Sequence, residues 1–354
     1  MQFLYPIIFA FVLSFVLTWG ATKLFPRLGL LDRPWKYGLK RLPIPYYGGI
    51  AFYITFVAAI LLFLPFDKHV AGVLIGGTMI FAISLLDDIF EVRPLFRLIV
   101  QILAACVLVL SGIGILSISN PLGGAPFVLD AQKIAFSVGG MNFSFAFLSA
   151  IFTIIWIVLI VNTMNFLDGV PGMVSGTSVI AGAAIFLLAV RPDNLVDQHA
   201  VVIMAGAVAA VALAFLLFDF HPPKILMGDS GSMFLGFIIA TLAIYSGGKI
   251  ATAFLVLGFP ILDAIWSILR RILSGQSPFK GDFKHFHHKL IEIGLSERKA
   301  MLIIYLISAV FGGVAIFIGS EQKSVAIVVL FVLMLLIGWL ITFVESPRKN
   351  KELP

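Results

Sequence analysis

Charged residues are scarce in this chain of 354 residues. Only 12% are Asp, Glu, Lys or Arg, whereas 60% are hydrophobic. Soluble globular proteins carry about 25% charged residues, so a fold surrounded by water on all sides is excluded. The long apolar runs instead match the length of about 20 residues that a helix needs to cross a bilayer. The sequence therefore predicts an integral membrane protein.

Cysteine is almost absent as well. Cys106 is the single cysteine and lies within an apolar run, which excludes an intrachain disulfide. A cleaved secretory leader is not predicted either, because residues 1–25 lack a basic n-region and a small-residue cleavage site. We interpret this segment as the first membrane span.

The apolar runs predict an all-α, polytopic membrane protein with about eleven transmembrane helices, in a single domain over residues 1–354. The segment from Ser117 to Ser144 combines Gly-Gly pairs with short alternating stretches, Pro126–Leu129 and Phe143–Phe147, and predicts a small external β-hairpin. The predicted spans lie near residues 3–24, 48–66, 70–87, 95–115, 145–162, 171–190, 197–218, 231–247, 250–269, 300–319 and 324–344.

The basic residues are distributed unequally between the two faces that this topology defines. Of the 24 Lys and Arg residues, 19 fall on one face. Basic residues near span ends prefer the cytoplasm. We therefore predict an N-terminus outside the inner (plasma) membrane and a basic cytoplasmic tail at about 345–354. This distribution accounts for the net charge of +6, which does not indicate a nucleic-acid partner.

Polar residues are concentrated in five loops of the predicted cytoplasmic face. Ionisable groups near membrane depth are costly and are usually functional. Five clusters on one face indicate one composite site, assembled from distant segments. The clusters run from Asp32 to Gly49, Leu86 to Arg93, Asn162 to Gly172, His221 to Ser232 and Arg270 to Lys299.

Three of these clusters contain the acidic candidates. Asp87 and Asp88 end the third predicted span, and adjacent helical side chains point about 100° apart, so the two carboxylates serve different partners. Asp229 lies between two glycines at a predicted helix start, where a carboxylate suits Mg²⁺. The alternatives are a charged helix end for the pair and simple capping for Asp229.

The cluster after the fifth predicted span forms a polar stripe. Asn162, Asn165 and Asp168 are spaced by three residues, which places them near one face of a helix. Gly169 and Gly172 then allow a turn or a close ligand approach. The alternative is an Asx-rich turn between two spans.

The last cluster is basic and rich in histidine. Adjacent arginines Arg270 and Arg271 suit a diphosphate through their forked donors. His285, His287 and His288 could donate hydrogen bonds to phosphate, or alternatively form a transition-metal site. Membrane anchoring is the alternative for the arginines. Together the five clusters suit phosphoryl transfer, which requires positioning, a divalent metal and positive charge.

Four motifs follow one another along the chain: Asp87-Asp88, the stripe at Asn162–Gly169, the Met-Gly-Asp-Ser-Gly-Ser run at Met227–Ser232 and the His-x-His-His run at His285–His288. In this order they resemble the motifs of the polyprenyl-phosphate N-acetylhexosamine-1-phosphate transferase superfamily. The resemblance extends from Gly29 to about Lys299.

Pro260–Asp263, Ser277–Phe279 and the Asp282 segment look like the UDP-N-acetylglucosamine:undecaprenyl-phosphate branch, glycosyltransferase family 4. The resemblance implies transfer of GlcNAc-1-phosphate to undecaprenyl phosphate with release of UMP. UDP-MurNAc-pentapeptide or another UDP-HexNAc is the alternative donor, and a homodimer is an open alternative to a monomer. Relatives often carry a basic residue where Tyr46 stands here.

The resemblance also implies residue roles. Asp229 is the leading Mg²⁺ ligand, with Mn²⁺ as an alternative ion, and Asp87 is a base or second metal ligand. Asp88 and Asp168 are further catalytic candidates. Residues implied to bind the UDP-sugar and the polyprenyl phosphate are Lys40, Asn162, Asn165, Asp263, Arg270, Arg271, His285, His287 and His288.

Two different functional classes remain alternatives to this enzyme. A secondary transporter would place polar groups near the membrane midplane, whereas here they cluster at one face. The second alternative is a lipid-binding scaffold without catalysis.

Overall fold

The computed structural model describes residues 2–37, 41–118, 120, 125–138, 141–191, 198–246, 250–275 and 285–349. The predicted site residue Lys40, and the segment that contains Ser277–Phe279 and Asp282, lie outside the described residues. The backbones of His287 and His288 are described, but their side chains are not.

The described chain is predominantly helical, as its apolar runs predict. A short 3-10 helix at Pro34–Tyr37 follows the first α-helix. The α-helices are α1 (Leu4–Arg27), α2 (Gly49–Phe63), α3 (Lys68–Phe90), α4 (Pro94–Leu110), α5 (Phe147–Leu167), α6 (Met173–Ala189), α7 (His199–Asp219), α8 (Asp229–Tyr245), α9 (Ile250–Val256), α10 (Gly258–Leu273), α11 (Phe286–Glu292), α12 (Glu297–Phe317) and α13 (Ser320–Lys349).

Several of these helices can cross a membrane by length and composition. Within the described ranges α1, α3, α5, α7 and α12 qualify, and α9 with α10 makes a sixth if the bent pair is one span. Helices α2, α4, α6 and α8 and the segment Gln322–Ile337 of α13 are shorter but apolar. The chain is therefore a polytopic membrane protein, and the count of eleven spans stays a prediction.

The predicted β-hairpin region contains two small antiparallel sheets. Strands β1 (Ser117–Ile118) and β2 (Phe127–Val128) form one sheet, and β3 (Lys133–Val138) pairs along its length with β4 (Met141–Ala146). This confirms a hairpin between Ser117 and Ser144, but Phe147 starts α5 and does not extend the strand.

The ninth predicted span, 250–269, is not one straight helix. It breaks at Leu257 into α9 and α10, which are inclined to each other by 81°. Pro260 has no N–H to donate to the carbonyl of Val256, the last residue of α9, and its ring crowds that carbonyl. Apolar periodicity does not report such a break. Helix α13 continues to Lys349, and the basic tail at about 345–354 stays a prediction.

Helix α8 is the centre of the packed core. Its residues from Ser230 to Ile244 are all buried, and it contacts α2, α3, α5, α6, α7 and α9. Gly236 lets α5 approach, since a Cβ there would lie 3.0 Å from the Cα of Val161. By contrast, α1 exposes Tyr5 and Trp19. A large exposed apolar surface is expected where lipid replaces water. The central helix begins at Asp229, so the core positions that carboxylate.

Candidate active site

Two of the predicted acidic residues converge on one cation. The Nη1 atom of Arg97 donates a hydrogen bond to Oδ2 of Asp229 at 2.9 Å and another to Oδ2 of Asp87. Asp87 lies near the end of α3, Asp229 starts α8 and Arg97 lies in the first turn of α4. Three helices thus bring two carboxylate oxygens to a single point.

Asp88 holds the start of α8. Its Oδ1 accepts a hydrogen bond from the backbone N–H of Asp229 at 2.9 Å, and its Oδ2 accepts one from the N–H of Ser230 at 3.1 Å. The first N–H groups of a helix have no partner within the helix, so this carboxylate caps α8. As expected, Asp87 and Asp88 serve different partners, yet both act on the first turn of α8. The geometry makes Asp88 a positioning residue for Asp229.

The first predicted cytoplasmic loop pairs with the segment that precedes Asp229. The N–H of Leu226 donates to the carbonyl of Pro45 at 2.9 Å, the N–H of Gly48 to the carbonyl of Leu226 at 2.9 Å, and the N–H of Gly49 to the carbonyl of Met227 at 2.8 Å. We call Asp87, Asp88 and Asp229 the acidic cluster. The short ladder of backbone hydrogen bonds docks residues 45–49 directly beside it.

Tyr46 is brought to the cluster by this docking. Its hydroxyl donates to Oδ1 of Asp88 at 3.0 Å. Burial, together with the negative charges of Asp88 and Asp229, raises the pKa of Tyr46 well above 10. The phenol therefore stays protonated and remains a donor throughout the physiological range.

The polar stripe lies where its spacing predicts. Asn162 and Asn165 lie on α5, and Asp168 follows the end of that helix. The Nδ2 atom of Asn162 donates to Oε1 of Gln101 on α4 at 2.7 Å, so this amide ties α5 to the helix that carries Arg97. Burial, and then the negative charges of Asp219, Asp229 and Asp88, raise the pKa of Asp168 well above its usual value. Asp168 therefore lies within electrostatic reach of the acidic cluster.

Asp219 is a buried carboxylate that the sequence analysis missed. It ends α7 and accepts hydrogen bonds from the N–H of Gly172 at 2.9 Å and from Oγ of Ser175 at 2.8 Å. Gly172 has a φ of +88°, which favours glycine, and its carbonyl accepts from the hydroxyl of Tyr305. This network fixes the turn after Asp168. An acidic residue at the end of an apolar run was the available signal.

Asp263 and His285 are brought together by the bend between α9 and α10. Oδ2 of Asp263 lies 2.9 Å from Nδ1 of His285, and Oδ1 accepts from the N–H of Phe286 at 3.0 Å. The ring of Phe166, within the polar stripe, stacks on His285 at a centroid distance of 5.3 Å. The His-x-His-His motif is therefore anchored beside the stripe.

The paired arginines lie in the last turn of α10, where cations favour the negative end of a helix. Arg271 is buried, with 5% of its surface exposed. Both follow Asp263 on the same helix, so the anchoring contact with His285 also restrains their position relative to the stripe.

The acidic cluster suits a divalent metal ion of the Mg²⁺ type. Among the described residues no group of three or more His, Cys, Asp or Glu side chains has metal-ligand geometry. Mg²⁺ commonly uses only one or two protein carboxylates and fills its other positions with water and substrate phosphates. Asp87 and Asp229 both place an oxygen against one positively charged nitrogen, so a cation is already accommodated at this point. The donor set therefore fits Mg²⁺.

Comparison with known proteins identifies the part of the chain that builds this cluster. Residues 70–247 match the family model described as glycosyl transferase family 4. This range contains the acidic candidates Asp87, Asp88, Asp168 and Asp229 and the missed residue Asp219.

Curated relatives match almost the full length. The "Probable undecaprenyl-phosphate N-acetylglucosaminyl 1-phosphate transferase" of Bacillus subtilis is 30% identical over 93% of this chain and 89% of its own length. The "Decaprenyl-phosphate N-acetylglucosaminephosphotransferase" of Mycobacterium tuberculosis is 32% identical over 91% of this chain and 84% of its own length. The "Undecaprenyl-phosphate alpha-N-acetylglucosaminyl 1-phosphate transferase" of Yersinia pestis is 24% identical over 93% of this chain and 88% of its own length.

Proposed function

Because the chain belongs to glycosyl transferase family 4, we propose that it transfers GlcNAc-1-phosphate from UDP-GlcNAc to undecaprenyl phosphate. The products are undecaprenyl-diphosphate-GlcNAc and UMP, in the first membrane step of surface glycan synthesis. The observation that carries the proposal is the convergence of Asp87 and Asp229 at the start of the central helix. The names of relatives that align over most of the chain support the same reaction.

Asp229 and Asp87 would hold Mg²⁺, with Mn²⁺ as an alternative. The chemistry that such an ion would supply when bound is neutralisation of charge on the donor diphosphate and on the departing UMP. The second pKa of a phosphate monoester is about 6, so the lipid phosphate is largely dianionic at pH 7. Asp87 therefore need not remove a proton, and we assign it to orientation of the acceptor and to the metal.

The remaining residues supply positioning and positive charge. Asp88 and Tyr46 fix the first turn of α8 and thereby the Asp229 carboxylate. Asn165 and Asp168 would position the nucleotide, and Asn162 holds their helix against α4. Cationic and imidazole donors would hold the diphosphate and the sugar; these are Lys40, Arg270, Arg271, His285, His287 and His288. Asp263 would act through its contact with His285.

Release of UMP tests the proposed reaction. Purified protein is incubated with undecaprenyl phosphate, Mg²⁺ and a panel of UDP-sugars, and UMP is measured. We expect UMP with UDP-GlcNAc and none when either lipid or metal is omitted. UMP only with UDP-MurNAc-pentapeptide would replace the donor assignment. Flux of a solute into vesicles without UMP release would favour a secondary transporter, and absence of UMP under every combination would leave a lipid-binding scaffold.

We further propose eleven spans and an active site on the cytoplasmic side of the inner membrane. The distribution of 19 of 24 basic residues to one face supports this orientation. In this arrangement Arg93 lies inside and Gln132, beside the β-hairpins, lies outside. Both side chains are exposed, so both positions suit labelling.

Cysteine labelling checks the orientation. In a Cys106→Ala background, a membrane-impermeant maleimide should label Gln132→Cys in intact cells. Arg93→Cys should react only after the membrane is permeabilised, because the proposed cytoplasmic loop is shielded from the reagent. Labelling of both positions in intact cells, or the reverse pattern, would contradict the orientation.

A further inference from the structure

Arg97 carries a positive charge at a position where the helix by itself disfavours one. It lies in the first turn of α4, near the positive end of the helix dipole, where a cation is destabilising. Its side chain is only 22% exposed, so part of its hydration is lost. The two carboxylates that it contacts, Asp87 and Asp229, offset both costs. The charge at this position therefore serves the acidic cluster.

We propose that Arg97 is a built-in counter-cation for Asp87 and Asp229, and that a divalent metal ion has to displace it to bind them. The inference rests on the metal site of the proposed function. The guanidinium uses the Oδ2 atoms of both carboxylates. A divalent ion held by the same two oxygens would lie close to this cation, and the two positive charges would repel each other.

The packing indicates which partner moves. Asp229 is fixed through its backbone N–H, which donates to Asp88, and Asp87 precedes Asp88 on α3. Arg97 approaches from a third helix on a long side chain that is partly exposed. The carboxylates can therefore keep their places while the guanidinium turns away.

Replacement of the Arg97 guanidinium by a metal ion would favour divalent over monovalent ions. A monovalent ion carries the same charge as the guanidinium and gains no electrostatic advantage by replacing it. A divalent ion gains a second unit of charge against two carboxylates. Without either cation, Asp87 and Asp229 would repel each other across the interface between α3 and α8. Arg97 thus stabilises the acidic cluster until a metal with sufficient charge binds.

Binding of Mn²⁺, followed by electron paramagnetic resonance after treatment with EDTA, tests the displacement. The variants are Arg97→Gln and Arg93→Gln, which each remove one positive charge near the start of α4; the Arg93 side chain is exposed and makes no capping hydrogen bond to the helix. Removal of the competing cation should lower the apparent Kd of Arg97→Gln about tenfold. Arg93→Gln should stay within about twofold of the unsubstituted protein, because exposed charges are screened.

Chemical modification of the unsubstituted protein provides a second readout. Phenylglyoxal modifies arginine, and mass spectrometry follows Arg97 with Arg93 as internal reference. Addition of Mn²⁺ should increase modification of Arg97 severalfold and leave Arg93 unchanged. Unchanged or reduced modification with Mn²⁺ bound would overturn displacement, because the guanidinium and the metal would then coexist. Because it uses the unsubstituted protein, this measurement tests displacement of Arg97 by the metal even if Arg97→Gln fails to fold.

The outcomes separate this inference from the proposed function. Equal Mn²⁺ affinity in the unsubstituted protein and Arg97→Gln, with normal UMP release, would overturn the inference alone. Tighter binding in Arg97→Gln and greater modification of Arg97 with Mn²⁺, but without UMP release, would support displacement and overturn the proposed reaction. Absence of Mn²⁺ binding in both proteins would overturn the metal site and the inference with it.

Discussion

Replacement of Asp229 with Asn should lower the rate of UMP release by about a thousandfold while the protein remains folded. Asn has nearly the same size but no charge, so it provides a weaker metal ligand. The backbone N–H of residue 229 would still donate to Asp88, and the start of α8 would keep its cap. The expected loss therefore concerns transition-state stabilisation and not folding.

The measurement is the rate of UMP release at saturating UDP-GlcNAc, with the apparent melting temperature of the same preparation. Asp67→Asn is the matched control, because Asp67 caps α3 at the end opposite to Asp87 by accepting from the N–H of Val70. Asn is also a favourable N-cap, so this variant should keep both activity and stability. Full activity of Asp229→Asn would refute the metal assignment.

The elements that sequence reasoning predicts are those set by local pattern. The long apolar runs become helices, and the spacing of Asn162, Asn165 and Asp168 places the first two on α5 and the third at its end. Helical periodicity depends on neighbours three and four residues apart, so the chain itself reports it. The hairpin around β3 and β4 follows from equally local signals.

The features that sequence reasoning misses depend on contacts between distant segments. In the sequence, Arg97 is one more basic residue at the start of a predicted span; its role appears only when α8, 132 residues further along the chain, places Asp229 beside it. Asp219 gains its role from Gly172, and Tyr46 gains its role from Asp88. No periodicity links such pairs. Loops between successive spans alternate between the two faces of the membrane, so the convergence of the clusters on one face could be predicted. The individual partners within the site could not be predicted.

The close approach of two helix backbones is the other feature that only the fold reveals, and it is clearest at Gly49. Gly49 starts α2, and a Cβ at this position would lie 2.3 Å from the backbone nitrogen of Gly231 and 2.6 Å from Oγ of Ser230. Backbone atoms of a capped helix cannot rotate aside. Gly49→Ala should therefore force α2 and the first turn of α8 apart and displace Asp229.

We expect Gly49→Ala to lower the free energy of unfolding by about 3 kcal/mol and to reduce UMP release at least tenfold, since overpacking of a close contact cannot relax locally. Thermal unfolding in detergent and the UMP assay measure the two effects. Gly313→Ala is the control, because a Cβ there meets nothing within 4 Å. Alanine is also the better helix former, so the control should be neutral or slightly stabilising.

Gly231→Ala should introduce a steric clash of intermediate severity. It therefore tests whether the contact between α2 and α8 causes the loss of stability and activity. Its Cβ would meet the Cγ of Met227 at 2.5 Å, which a flexible side chain can relieve, and the Cα of Gly49 at 3.1 Å. If the contact between α2 and α8 sets the position of Asp229, stability and activity should fall in the order Gly313→Ala, Gly231→Ala, Gly49→Ala. Equal behaviour of Gly49→Ala and Gly313→Ala would contradict a tight approach of these helices. Loss of activity in Gly49→Ala without loss of stability would instead mean that the strain is relieved by moving Asp229 alone.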